Sequence, residues 1–388
     1  LVKSWIAVIA AVAVSCGWAM RPADAADPYV VEVVLPLTGA ASALGTREAA
    51  SLRALAASVN GDGGVRGRIL ALKIDDDASD PQTAAHLVNA AVANGVPFVV
   101  GPATSATCDS VMTIVGAAGP PLFCLAPTIA PPSGGFTFAS APPVDDVQQA
   151  LFRYLESRKL LRVAVITTTD ATGADFNGRI DATLARPEFK NLTLVDREHF
   201  APADDGVDVQ TARIAAAKPD VVLTFAVGRP FATLLRGIRD AQINVPVYAA
   251  GGNFTHEQMQ ADAAVLPNEL ILNGVRGIAS DPVASGAQAR AQSVYAGALA
   301  KAGVRSDYAT AIAWDPMMIL LEAVKRAGTD ADAKKIQATL ESMRGFTGIE
   351  GTYDFTTHDQ RGLGAAAIAF FRYDQTADAF VQVEPAKR

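Results

Sequence analysis

The stretch "VNGDGGVRGR" (residues 59–68) places four glycines within seven positions, the composition of a phosphate-cradling loop. A cradle of that kind follows a strand and opens a helix, so that the anion meets unpaired N–H groups at the positive end of the helix dipole. Here the polarity is reversed. "TREAASLRALAASV" (46–59) precedes the glycines with Leu52, Leu55, Ala56 and Val59 at helical spacing, and "RILALKID" (68–75) follows with the alternation of a strand. The glycines from Gly61 to Gly67 therefore close a helix and turn into a strand, supplying positive φ angles rather than a nucleotide site.

Outward from this helix-to-strand joint, apolar β-branched runs recur at 30–35, 69–74, 98–100, 122–125, 163–167, 221–225 and 247–250, with helical stretches between them. Such alternation means an α/β architecture of parallel sheets covered by helices, and the runs fall into two series. The expected fold is two doubly wound parallel-sheet lobes joined by a hinge. "SAPPVDDVQQALFRYL" (140–155) reads as the crossover into the second lobe and its first helix. Two amphipathic helices, 286–303 and 309–328, are expected to return to the first lobe, while "GTYDF" (351–355) and "AAAIAFFRY" (365–373) are expected as strands of the second. The division is then 26–146 with 278–346 in the N-terminal lobe, and 147–277 with 347–388 in the C-terminal lobe.

Residues 1–25 carry Lys3, an apolar core at positions 6–14 and the small-x-small sequence Ala23-Asp24-Ala25, which predicts a signal peptide cleaved after Ala25 or Ala26. The core is too short for a stable membrane anchor. Cys16 after "AVS" offers lipoprotein anchoring as the lesser alternative, and the chain is expected to be secreted. Cleavage removes Lys3, Arg21 and Asp24, so the formal charge of −7 becomes −8, a balance that argues against nucleic acid as a partner. The remaining length suits two domains, and at 50% hydrophobic residues it supplies two cores. Two cysteines remain, Cys108 at a helix start and Cys124 at the end of the next strand. In a parallel βαβ unit those points share one edge of the sheet, so in an oxidising compartment a disulfide is the favoured reading and two buried thiols the other.

A catalytic constellation is absent from the pattern. His86, His199, His256 and His358 are scattered without metal-ligand spacing, and no Gly-x-Ser-x-Gly elbow exposes a nucleophile. Asp75-Asp76-Asp77 reads as a solvated strand end before the helix cap in "ASDPQTAA". The expectation is a protein that is no enzyme and uses neither metal nor cofactor. What the chain offers instead is two strand ends opening into helices, "VVLPLTGAASALG" (33–45) and "FVVGPATSATCDSV" (98–111). In each, hydroxyls and free helix N–H groups could together hold a carboxylate, although Thr38, Thr104 and Ser105 could equally cap their own helices. Such edges are where open α/β sheets bind ligands.

The ordered series "LPLTGAASALG", "VNGDGGVRGR", "LKIDDDASDPQTAA", "VVGPATSA", "PPLFCLAP", "ITTTDATGADF", "KPDVVLTFAVGRPFATLLRGIRDA" and "YDFTTHDQRGLG" resembles the periplasmic solute-binding proteins of branched-chain amino acid ABC transporters. The resemblance covers essentially all of the chain after residue 25. It implies a bilobed receptor, acting as a monomer, that closes on a small carboxylate and presents it to an ABC permease in the inner membrane. Ser105 falls where the family places a carboxylate-binding serine, with the N–H of Ala106 assisting, and Thr128 near the second polar lip with slightly different spacing. Thr172 and Leu44 stand where amino-acid binders often carry aromatic residues, and Phe225 and Phe254 are expected as apolar walls.

One departure bears on the ligand. Members that bind amino acids commonly carry an acid near "YAAGGNFTHEQM" (248–259), where this chain has Gly251-Gly252-Asn253-Phe254. An ammonium buried without a partner is costly, so Asn253 and its neighbours point to a ligand without one. The stretches "GGN" and "GRPFATLLRG" resemble members that take aromatic carboxylates, which implies a benzoate-like or hydroxycinnamate-like acid, with Arg229 reaching its carboxylate or facing water. The alternatives are a branched-chain or other amino acid, its ammonium met by Asp170, Asp175 or Glu257, and, in another class, a sensory ligand-binding protein.

Overall fold

The computed structural model describes residues 27–116, 118–279, 284–357 and 360–383, without the side chains of residues 171, 172 and 175. The signal peptide and Cys16 lie outside the described residues. In chain order, the first series is β1 (Tyr29–Leu35), α1 (Ser42–Gly61), β2 (Leu70–Asp76), α2 (Pro81–Ala93), β3 (Val99–Val100), α3 (Ser105–Val115), β4 (Leu122–Cys124) and β5 (Thr137–Ala139). The second is α4 (Val144–Arg158), β6 (Arg162–Thr168), α5 (Ala171–Leu184), β7 (Thr193–Phe200), α6 (Asp208–Ala217), β8 (Val221–Phe225), α7 (Arg229–Asp240), β9 (Val247–Ala249), α8 (His256–Ala261) and β10 (Leu270–Val275). The chain continues through α9 (Gly286–Lys301), α10 (Tyr308–Ala327), α11 (Ala333–Glu341), β11 (Arg344–Thr347), β12 (Thr352–Asp354), β13 (Ile368–Asp374) and β14 (Ala379–Val383).

Two sheets result. The first is parallel throughout in the order β2-β1-β3-β4-β5. The second runs β14-β13-β10-β9-β8-β6-β7, parallel from β10 to β7, with β13 and β14 added antiparallel at one edge. Alternate residues of each strand serve opposite faces, as the two-residue period of a strand requires. Val31, Val33 and Leu35 of β1 share a core with α1 and α10, whereas Val34 packs with Ala84 and Val88 of α2 and Val111 of α3. In the second sheet Val163, Val165 and Tyr248 meet α4 and α5, and Ala164, Val247 and Ala249 meet the side of α6 and α7.

The glycine-rich joint behaves as its polarity requires. α1 runs to Gly61, and Gly63, Gly64 and Gly67 take φ values of 94°, 74° and 86° before β2 begins. Asp80 caps α2 by accepting the N–H of Thr83 at 2.8 Å. Of the three aspartates before it, Asp77 is fully buried rather than solvated, and Asp76 holds the loop after β1.

The strand "GTYDF" departs from expectation. β12 pairs with β11 in a hairpin of its own, and Phe355 meets Phe123 and Phe138 of the first sheet edge-on, with centroids 6.3 and 5.9 Å away. Tyr353 and Phe355 stack at 6.0 Å, so this aromatic pair seals the first lobe's core, and the chain passes to the second sheet only afterwards. Strands β5, β7, β10 and β14 were not legible as apolar runs. β7 reads "TLVDREHF" because it is a half-exposed edge strand, and β10 reads "LILNGV" with Asn273 and Gly274 interrupting it.

The sulfurs of Cys108 in α3 and Cys124 at the end of β4 are bonded, with Cα atoms 6.1 Å apart. Closing a loop of 16 residues' separation stabilises by about 3 kcal/mol in the chain-entropy model. The double substitution Cys108→Ala, Cys124→Ala is expected to lower the free energy of unfolding in urea by about that amount. Two titrating thiols in denatured, unreduced protein lacking residues 1–25 would remove the basis of this expectation.

Candidate functional site

In both sheets the chain reverses its winding direction beside a central strand, between β1 and β3 in the first and between β6 and β8 in the second. The crevice beyond the carboxyl ends of strands at such switch points is where open α/β sheets take ligands. A 230 Å³ cavity lies there, lined by residues that follow β1, β3 and β4 on one side and β6, β8 and β9 on the other. It is smaller than the roughly 300–1,000 Å³ typical of drug-sized pockets. The lips come close: a Cβ added to Gly228, whose φ is 68°, would sit 2.7 Å from the Ala40 carbonyl oxygen.

The first lip proves to be filled from within. Asp76 accepts the N–H groups of Leu37 and Thr38 at 2.9 and 3.1 Å and the Thr38 hydroxyl at 2.7 Å, taking the place an external carboxylate would need. The second lip is open. Gly101, with φ of 90°, lets the chain leave β3 where a Cβ would collide with the Val34 carbonyl. Thr104 then caps α3 in a capping box with Thr107. This leaves the Ser105 hydroxyl free of capping duty. It hydrogen-bonds Thr128, which arrives on the loop after β4. The Thr107 N–H is taken by Thr104 Oγ1, so the first-turn N–H groups of Ser105 and Ala106, which also line the cavity, remain for a ligand's oxygen.

Apolar walls come from both lobes. Leu44 of α1 lines the cavity together with Phe176, Phe225 and Val227, and the rings of Phe176 and Phe225 stack at 3.4 Å. Of the residues singled out in the sequence, Leu44, Ser105, Ala106, Thr128 and Phe225 thus line one cavity. Thr172 falls on α5, and its side chain lies outside the described residues.

Three others are placed elsewhere. Asn253 is fully buried, donating to the Ala226 carbonyl at 2.7 Å and accepting the Gly228 N–H at 3.0 Å, so its amide ties two loops together. Phe254 packs edge-on against Phe371 and Phe380 at 5.2 and 4.1 Å, inside the second lobe's core. Arg229 is an exposed side chain paired with Asp205.

Sequence reasoning missed the acid of the first lobe. Glu48 lines the cavity, is fully buried, and neither of its carboxylate oxygens has a hydrogen-bond partner. Its signal was present: Glu48 stands four residues from both Leu44 and Leu52, on the apolar stripe of α1. Burial, reinforced by the charges of Asp77 and Asp307, holds its carboxyl well above the usual range. Burial also pushes Asp77 up to about 6. On the second lobe's side Asp170 lines the cavity, where it caps α5 through the Gly173 N–H at 3.2 Å and accepts the Thr168 hydroxyl at 2.7 Å. Arg361 was missed too. Its buried guanidinium donates to the carbonyls of Pro127 and Ile129, which flank Thr128, and to that of Ala141 beyond β5.

Residues 29–378 match the periplasmic binding protein family. The chain belongs to that family. A curated relative, the Leu/Ile/Val-binding protein BraC3 of Rhizobium johnstonii, is 26% identical over 83% of this chain and 86% of its own length. The Leu/Ile/Val-binding protein homolog 3 of Brucella melitensis is 24% identical over 89% of this chain and 91% of its own. Among solved structures, an extracellular ligand-binding receptor from Rhodopseudomonas palustris HaA2 superposes with a TM-score of 0.81 at 19% identity, covering 92% of this chain and all (100%) of that one. The substrate-binding protein LivJ of Streptococcus pneumoniae, solved with isoleucine, superposes at 0.74 with 19% identity, over 92% and 100% of the two chains. This periplasmic binding protein is therefore an extracytoplasmic solute receptor and not an enzyme. Among its described residues, no helix is long and apolar enough to cross a membrane.

Proposed function

We propose that this receptor binds a small amino acid with an apolar side chain and delivers it to an ABC permease. The observation that carries the reading is the pair of acids, Glu48 and Asp170, lining the same cavity as the α3 N-terminus. The aromatic-acid expectation rested on the lack of an acid beside Asn253 and on the "GGN" and "GRPFATLLRG" stretches; these two carboxyls weigh against the first ground by offering an ammonium a partner. A zwitterion would place its carboxylate on Ser105, Thr128 and the Ala106 N–H, its ammonium toward the acids, and its side chain against Leu44, Phe176 and Phe225. The names of the curated relatives support the same class.

Titration calorimetry on ligand-free protein tests the class directly. At least one of leucine, isoleucine and valine is expected to bind at micromolar affinity or tighter, near −8 kcal/mol, with 4-hydroxybenzoate and coumarate at least about tenfold weaker, a gap of about 1.4 kcal/mol. Tight binding of an aromatic acid, with no heat from the amino acids, would return the reading to an aromatic carboxylate receptor.

A further inference from the structure

We propose that Glu48 is the residue that receives the ligand's ammonium group, a specificity-determining contact from the first lobe; the inference rests on the amino-acid reading above. Buried polar side chains are nearly always hydrogen-bonded, and one left without partners calls for an explanation. Glu48 is 0% exposed, has two unpartnered oxygens, and lines the cavity into which the α3 N-terminus also opens.

None of the groups around it donates to it, the Tyr308 hydroxyl included. Asp77 lies just beyond β2, Asp307 caps α10, and Tyr308 follows it. The nearby guanidinium of Arg47 is engaged by Asp307 at 2.8 Å and by Glu257 at 3.4 Å. The neighbourhood is therefore short of positive charge and of N–H groups. An ammonium brings both, with three donors on a compact cation. No cluster among the described residues has the ligand set of a metal site, which leaves an organic cation as the fitting partner.

The arrangement has a second consequence. Burial raises the Glu48 carboxyl well above its usual range, with Asp77 and Asp307 adding to the effect, which favours its neutral form in the empty cleft. An ammonium alongside favours the ionised form. Binding an amine therefore draws Glu48 toward giving up its proton, whereas a ligand without an amine does not.

The test compares leucine with 4-methylpentanoate, its carbon skeleton without the amine, on wild type, Glu48→Gln and Asp170→Asn. Calorimetry at neutral pH in buffers of different ionisation enthalpy counts the protons. In Glu48→Gln, leucine is expected to bind roughly 30-fold more weakly, the scale of a lost charged hydrogen bond, with no proton released and 4-methylpentanoate unchanged. Because Gln mimics the neutral acid in size, the ligand-free variant should melt no lower than wild type. If wild type binds leucine and Glu48→Gln keeps both the affinity and the proton release, the role of Glu48 falls and the receptor reading stands. Loss of leucine discrimination in Asp170→Asn alone would move the ammonium to Asp170. A wild type that binds 4-hydroxybenzoate and none of the amino acids overturns the ligand class itself.

Discussion

Replacing Arg361 with methionine is expected to lower the free energy of unfolding by about 3 to 5 kcal/mol and to weaken ligand binding in the same protein. Arg361 is 7% exposed, and its guanidinium holds the carbonyls of Pro127 at 3.3 Å, Ala141 at 2.9 Å and Ile129. Methionine keeps much of the aliphatic packing but takes the donor from two buried acceptors, the carbonyls of Ile129 and Ala141, at about 1–3 kcal/mol each, and from the part-buried one of Pro127. Thr128 lies between the anchored carbonyls, so a loop that loosens also loses its partner for Ser105. Urea denaturation gives the first quantity and calorimetry with leucine the second. Stability within about 1 kcal/mol of wild type would mean that water satisfies these carbonyls and that Arg361 does not hold the lip.

The ligand-free protein is expected to be more stable at pH 5 than at pH 8, the reverse of a protein held by carboxylate salt bridges. Burial pushes Asp315 up to about 6, against hydrogen bonds from the Glu350 and Ile349 N–H groups and the Tyr353 hydroxyl. Glu350 beside it is raised well above its usual value by burial and by the Asp315 charge, and Asp77 is also near 6. An unfolded aspartate ionises near pH 4. Between about 4 and 6 the folded protein therefore holds protons that the unfolded chain has released, and stability falls as pH rises through that window. A shift of about two units in one group is worth about 3 kcal/mol at most, so two such groups make a loss of at least about 2 kcal/mol a reasonable expectation. Carboxyls with lowered pKa, such as Asp76 and Asp181, lose their contribution only on the acid side of this range. Thermal melts at the two pH values measure the difference, and Asp315→Asn should shrink it by the Asp315 share. A melting temperature that rises from pH 5 to pH 8 would show these groups ionised and paired.

The parts of this molecule that were legible in its sequence are those fixed by local pattern. The polarity of the 59–68 loop gave a helix before a strand, and the alternation of runs gave two helix-covered sheets. The second lip was visible because a strand followed by Gly101 and then by Thr104 and Ser105 is a helix start whatever surrounds it. What stayed hidden depends on partners far away in the chain. Whether Thr38 meets a ligand or Asp76 is decided across 38 residues, and Arg361 reaches carbonyls more than 200 residues upstream. Asn253 misled for the same reason: a polar residue beside glycines looks like a contact until its amide is seen holding Ala226 and Gly228. Glu48 lay in plain view on an apolar stripe, but a charge there acquires meaning only once the stripe is known to border a cavity.

The cover of the first sheet also sets the order in which this chain can finish folding. Its strands are complete by Ala139, yet one face waits for α10, and Ser51 of α1 bonds the Thr310 carbonyl across 259 residues. Contacts that distant make loop closure slow, and until they form an apolar surface stands open to other chains. The lobe synthesised first is thus among the last to be sealed. Neither lobe corresponds to a continuous stretch that could be severed and kept, and an emerging chain has to be shielded until its final third arrives.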